Sequence, residues 1–105
     1  MSIRVDAQSF SAEVLEAPVP VLADFYSDSC LPCRKLAAEL PKLEAAYGDR
    51  IKIVKINVKY DADLARDCQV RGTPTLVLFR QGAEAGRLSG AVSREQIAEK
   101  LEELL

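Results

Sequence analysis

The chain has no histidine and no tryptophan, one methionine and three cysteines among its 105 residues. The missing histidine removes the usual general base near neutral pH and the commonest metal ligand. A structural zinc site needs four ligands, so three cysteines fall short of one within a single chain. No apolar run approaches the ~20 residues that span a bilayer. The N-terminus, Met1-Ser2-Ile3-Arg4-Val5-Asp6, lacks the apolar stretch of a secretory leader. A net charge of −2 argues against nucleic acid or an anionic membrane as partner. Repeats, low-complexity stretches and internal linkers are also missing. These absences point to one domain over residues 1–105, located in the cytoplasm. With 49% of residues apolar, the chain can build a core without staples.

The most informative feature present is Cys30-Leu31-Pro32-Cys33. A strand-like run, Val19-Pro20-Val21-Leu22-Ala23-Asp24-Phe25-Tyr26, precedes it and a long helical pattern follows. A thiol in the first turn of a helix meets unpaired backbone N–H groups, which favour its thiolate. A second thiol one turn on is close enough to close a disulfide. In a reducing compartment such a pair reads as catalytic or metal-binding rather than structural. Pro32 and the strand–loop–helix setting argue against two inert buried cysteines. The motif therefore reads as a reversible dithiol/disulfide switch.

Residues 9–17 read as a short helix, with Ser9 or Ser11 as cap and Pro18 as stop. Along the strand at 19–26, Val21, Ala23 and Phe25 point one way and Leu22, Asp24 and Tyr26 the other. Both sets are mostly apolar, as in a strand covered on both faces. From 30 to 47 the stripe Leu36, Ala37, Leu40, Leu43, Tyr47 has helical spacing, and Gly48 ends it. Pro41 lies within that stripe, which predicts a kink rather than two helices. Strands are expected at 51–58 and 75–79, and a short helix at 62–69. Gln81-Gly82 makes a tight turn into a strand at 84–88. Ser93 with Gln96 forms a capping box for a last helix bearing Ile97, Leu101 and Leu104. The strands at 19–26 and 51–58, joined by a helix, should be parallel.

Several of these segments together resemble the thioredoxin family along essentially the whole chain. They are Val21-Leu22-Ala23-Asp24-Phe25-Tyr26, Cys30-Leu31-Pro32-Cys33, Lys55-Ile56-Asn57-Val58, Val70-Arg71-Gly72-Thr73-Pro74-Thr75, Gln81-Gly82 and Ser89-Gly90. The resemblance implies an α/β fold: a central mixed sheet of four to five strands, with about four helices on both faces. It also implies roles. Cys30 would be the nucleophile and Cys33 the resolving thiol. Asp24, set among apolar neighbours where burial raises its pKa, would accept the Cys33 proton, with Lys55 nearby. The residues alone leave Asp24 open between this role and a strand-end carboxylate that reaches water. The Thr73–Pro74 bond would be cis, although X-Pro bonds in general are cis only about 5% of the time. Thr73, Pro74, Gly90 and Ala91 would wall a groove for an extended target segment.

Two positions beside the nucleophile depart from the family, and Pro41 lies about one turn later than the family's helix proline. Ser29 stands where a bulky aromatic is usual, and Leu31 where glycine is usual. With Pro32 they form the rim of the nucleophile, and they are expected to retune partner choice. Cys68 reads either as a third, regulatory thiol or as a small half-buried residue against the sheet, with the second favoured. The function implied is a protein-disulfide reductase, fed by a thioredoxin reductase and acting on disulfide-containing proteins. It would work as a monomer without cofactor or metal. The alternatives are a more oxidising disulfide exchanger or isomerase, and a redox-gated binding subunit.

Overall fold

The computed structural model describes residues 2–105. Its centre is a five-stranded mixed sheet in the order β1-β3-β2-β4-β5. The strands are β1 (Ile3–Arg4), β2 (Val21–Tyr26), β3 (Lys52–Asn57), β4 (Thr75–Arg80) and β5 (Ala83–Ser89). The helices are α1 (Leu31–Tyr47), α2 (Ala62–Asp67) and α3 (Arg94–Glu102), with a short wide-turn π segment at Ser11–Leu15. β2 pairs with β3 in parallel and with β4 antiparallel, and β5 returns beside β4.

The alternation read along β2 sorts its side chains into two cores. Val21, Ala23 and Phe25 pack with Phe10, Val14, Val54, Ile56, Leu64 and Val77. Leu22 packs on the other face with Leu36, Leu40 and Leu43 of α1 and Ile97 and Leu101 of α3. Each such aliphatic side chain, taken fully from water, stabilises the fold by about 1.5–3 kcal/mol. α1 runs as one helix through Pro41 and ends at Gly48. Ser93 and Gln96 form the expected reciprocal cap of α3.

Three expectations need correction. β1 was not foreseen: two exposed residues carry no periodic signal, and their pairing with Val54 and Lys55 is a tertiary event. Neither Ser9 nor Ser11 caps the first helical segment. Instead the Asp6 carboxylate accepts from the N–H groups of Gln8 and Ser9, and Ser11 donates to Glu16. That segment closes with an N–H of Glu16 on the carbonyl of Ser11, one residue wider than an α-turn. β2 begins at Val21 rather than at 19, because Pro20 has no N–H for the ladder; its carbonyl still accepts from Lys52.

Two tight reversals place the later elements. α2 ends with Gln69 at φ 59°, where the N–H of Val70 reaches the carbonyl of Ala65 and that of Gln69 reaches Arg66. This is a left-handed helix stop that glycine usually provides. Arg87 of β5 fastens it by donating to the carbonyls of Cys68 and Gln69 while holding Glu84. At the hairpin, Gln81 and Gly82 both have positive φ, 53° and 81°, the signature of a two-residue turn matched to strand twist. A Cβ on Gly82 would stand 3.3 Å from the Leu15 carbonyl oxygen.

These reversals predict opposite signs for two substitutions. Gln69→Gly should raise the free energy of unfolding by about 0.5–1 kcal/mol, and Gly82→Ala should lower it by about 1–2 kcal/mol. Urea denaturation of the oxidised chain measures both.

Candidate functional site

Three connections meet at one end of β2. The chain leaves the strand at Tyr26 and re-enters regular structure at Leu31, with Cys30 as the N-cap of α1. The 27–30 connection is tied down by its neighbours. Arg34 donates to the carbonyl of Asp28 at 3.0 Å, and the buried Asn57 amide at the end of β3 donates to the Asp28 carboxylate at 3.4 Å. Across the groove, the connection into β4 contains the cis Thr73–Pro74 bond. The first residue of β4, Thr75, lies opposite Phe25, next to the end of β2. The Ser27 and Thr73 hydroxyls, 3.5 Å apart, join the two connections. The third connection follows β5, where the N–H of Gly90 donates to the Pro74 carbonyl at 2.9 Å.

Cys30 and Cys33 form a disulfide with their Cα atoms 5.2 Å apart. The two sulfurs are not equivalent. Cys33 is buried, whereas Cys30 is half-exposed. The backbone N–H of Cys33 donates to Cys30 Sγ at 3.2 Å. A backbone N–H donor and a helix terminus at a sulfur are the features that favour a thiolate over a thiol. Ser29, Leu31 and Pro32 are exposed around Cys30, Leu31 at 61%. An apolar side chain therefore stands in solvent beside the accessible sulfur.

Asp24 lies deeper. It is 1% exposed, and neither carboxylate oxygen has a hydrogen-bond partner. Its register partners are Lys55 on β3 and Leu76 on β4. Burial pushes its pKa from 3.8 up to about 6, against the pull of the Lys55 charge. Lys55 does not close onto it; its ammonium sits 4.9 Å from the centre of the Tyr26 ring. Lys55 and Cys33 share a cleft of about 160 Å³ with Tyr26, Ser27, Asp28, Arg34 and Ala37. The cleft thus brings Cys33, the buried member of the pair, to the lysine that neighbours Asp24.

On the other side, Thr73, Pro74 and Gly90 line a separate groove of about 390 Å³ with Arg71, Gly72, Ser89 and Arg87. Ala91 is exposed next to Gly90 but is not part of its lining. Cys68 is half-buried and packs against the core cluster on the α2 face. Burial raises the pKa of its thiol, which disfavours the reactive thiolate. Sequence reasoning missed Tyr26, Asp28 and Asn57 as parts of the site. For Tyr26 the signal was available, since two residues after Asp24 on a strand is the same face.

The buried carboxylate has a thermodynamic signature. Its folded pKa lies above its unfolded value, so the folded chain holds this proton more tightly. Stability is therefore lost as pH rises from 3.8 through about 6. At ~1.36 kcal/mol per pH unit the loss is roughly 3 kcal/mol. Asp24→Leu should abolish it: the variant should gain on the parent by about that amount between pH 3 and pH 8. Urea unfolding at the two pH values would show it, and a parallel pH dependence in both proteins would refute the assignment.

The chain is similar in sequence to known proteins along its length. The Thioredoxin family profile matches residues 1–103. The chain is 38% identical to a thioredoxin of Mycolicibacterium smegmatis, over 99% of this chain and 95% of that one. It is 35% identical to thioredoxin 1 of Synechococcus elongatus, over 100% and 98%. A chloroplastic M-type thioredoxin of Chlamydomonas reinhardtii is 34% identical over 96% of this chain and 72% of its own. A cysteine pair at a helix start, a cis proline across the groove and this whole-length similarity together place the chain in the thioredoxin family of thiol–disulfide oxidoreductases.

Proposed function

We propose that Cys30 is the attacking thiol and Cys33 the resolving thiol of this protein-disulfide reductase, with Asp24 as the proton acceptor for Cys33. The observation that carries the reading is the asymmetry of the pair: an accessible sulfur with a backbone donor, bonded to a buried one beside a charged cleft. In the reduced chain the Cys30 thiolate attacks one sulfur of a target disulfide. The Cys30–target bond forms, the target's own S–S bond breaks, and its other sulfur leaves with the electron pair and takes up a proton. Cys33 then gives its proton to Asp24, and its thiolate attacks Cys30 Sγ. The Cys30–Cys33 bond forms as the second target sulfur leaves. Two electrons have passed to the target. Members of the family generally take such electrons from a thioredoxin reductase, and we assign that donor here.

Thr73 and Pro74, with Gly90, Ala91, Ser29, Leu31 and Pro32, make up the target-binding surface in this reading. An extended segment would pair with the backbone at Thr73 and present its disulfide to Cys30. Among the described residues no helix is long and apolar enough to cross a membrane. We assign the chain the role of a monomeric domain working in the cytoplasm.

Cys30→Ser should abolish reduction of a protein disulfide, whereas Cys33→Ser should accumulate a mixed disulfide with the target. Mass spectrometry separates the two outcomes, and a mixed disulfide through Cys33 instead would reverse the assignment. A Cys30–Cys33 potential near about −270 mV, the value typical of thioredoxins, is expected on equilibration with a reference dithiol. A value of about −120 to −180 mV would favour an oxidant or isomerase. The exposed rim has its own test. Ser29→Trp with Leu31→Gly should change turnover of protein targets severalfold, and unchanged turnover and potential would remove the rim from partner choice.

A further inference from the structure

Asp24 is a charge-bearing group in an apolar strand with a lysine as its register partner on β3. Such a pair would ordinarily close. Burying an unpaired carboxylate is costly, and a partner charge offsets part of that cost. Here the carboxylate has no hydrogen bond, and among the described residues no ion pair. The Lys55 ammonium lies over the Tyr26 ring instead, 4.9 Å from its centre. That is within the range in which an aromatic face attracts a cation. Tyr26 and Asp24 are two residues apart on β2, so both side chains lie on the α1 face of the sheet. The ring and the carboxylate therefore compete for one cation.

The other charged or titratable groups around the cleft do not replace Lys55. From α1 come Cys33 and Arg34, and Arg34 is turned to the carbonyl of Asp28. From the 27–30 connection comes Asp28, whose carboxylate takes the Asn57 amide. β4 presents Leu76 opposite Asp24.

We propose that Tyr26 is a positioning residue: its ring holds the Lys55 ammonium short of Asp24 and so leaves the carboxylate free to take the Cys33 proton. The inference rests on the reading of Asp24 as proton acceptor. A closed Lys55–Asp24 pair would stabilise the carboxylate and make it a weaker base. A lysine withdrawn into water would leave the carboxylate still harder to ionise. Held at the ring, the ammonium tempers the effect of burial without cancelling it, in accord with a carboxyl that titrates at about 6. Proton transfer then needs no ion pair to be broken.

The test is a carboxyl-carbon NMR titration of Asp24 in the full chain. Tyr26→Leu keeps an apolar wall but removes the π face. It should move the Asp24 titration down by about one pH unit, the lower end of what a close opposite charge does. Tyr26→Met serves the same purpose if the leucine variant does not fold. Tyr26→Phe keeps the ring and should retain the parent titration. Lys55→Met should move the titration up, and in that background Tyr26→Leu should have no further effect. An unmoved or upward titration in Tyr26→Leu, or a downward one that persists without Lys55, overturns the proposal. Single-turnover release of target from the mixed disulfide gives the functional readout. Its acid limb should follow the titration in Tyr26→Leu and disappear in Asp24→Asn. If the limb survives Asp24→Asn, the proton-acceptor reading fails, while the titration still decides what Tyr26 does to Lys55.

Discussion

β2 is hydrogen-bonded along both edges and covered on both faces, so its side chains have two cores to enter and almost no water. Alternation settles the assignment for Val21, Leu22, Ala23 and Phe25. It also forces Asp24 into the core under α1, where Lys55, its register partner, offers the opposing charge. A carboxylate there lowers the stability of the fold at neutral pH. The surrounding aliphatic residues tolerate it because their burial is worth far more in sum. The site is thus built into the most constrained strand of the sheet rather than added to its surface.

The same strand fixes the redox pair. Because β2 ends at Tyr26 and α1 packs back across it through Leu36, Leu40 and Leu43, the intervening connection has only four residues. Cys30 must therefore stand at the helix terminus, facing outward, and Cys33 one turn deeper against the sheet. The cis-proline connection comes to the same place through the antiparallel partner: Thr75 pairs with Phe25, and Thr73 meets Ser27. Gly90 closes the groove through its bond to Pro74. The cysteine pair, the cis-proline connection and Gly90 occupy one end of the sheet because three connections converge on the adjacent ends of β2, β4 and β5.

Much of this was legible in the chain. The alternation in 19–26 gave the two faces of β2, the stripe from Leu36 to Tyr47 gave α1, and the Ser93–Gln96 pair gave the start of α3. Cys30 and Cys33 could be read from spacing and context alone. The cis bond at Pro74 could not: local chemistry favours trans, and only the family resemblance pointed to cis. β1 was illegible because two exposed residues hold their place by tertiary pairing. No side chain caps the Ser11–Leu15 segment, and the role of Asp6 in holding the turn before it was hidden because Asp6 sits several residues ahead of the helical pattern. Alternation places Tyr26 on the face of Asp24, but its contact with Lys55 was not legible, because that depends on the exact register of β2 against β3.

The absence of histidine can now be given a structural meaning. A base that works near neutral pH must titrate not far below it. An exposed aspartate titrates too low, and this chain has no imidazole to use instead. Burial brings Asp24 to about 6, close to the ordinary range of histidine. An imidazole in the same place would behave oppositely, since burial lowers its pKa and a lysine beside it would lower it further. A carboxyl is therefore the group whose basicity this dry, lysine-flanked strand raises. The environment that makes Asp24 costly for stability is the one that would suit it to the proton-acceptor role proposed for it, so the two properties are coupled through the same burial.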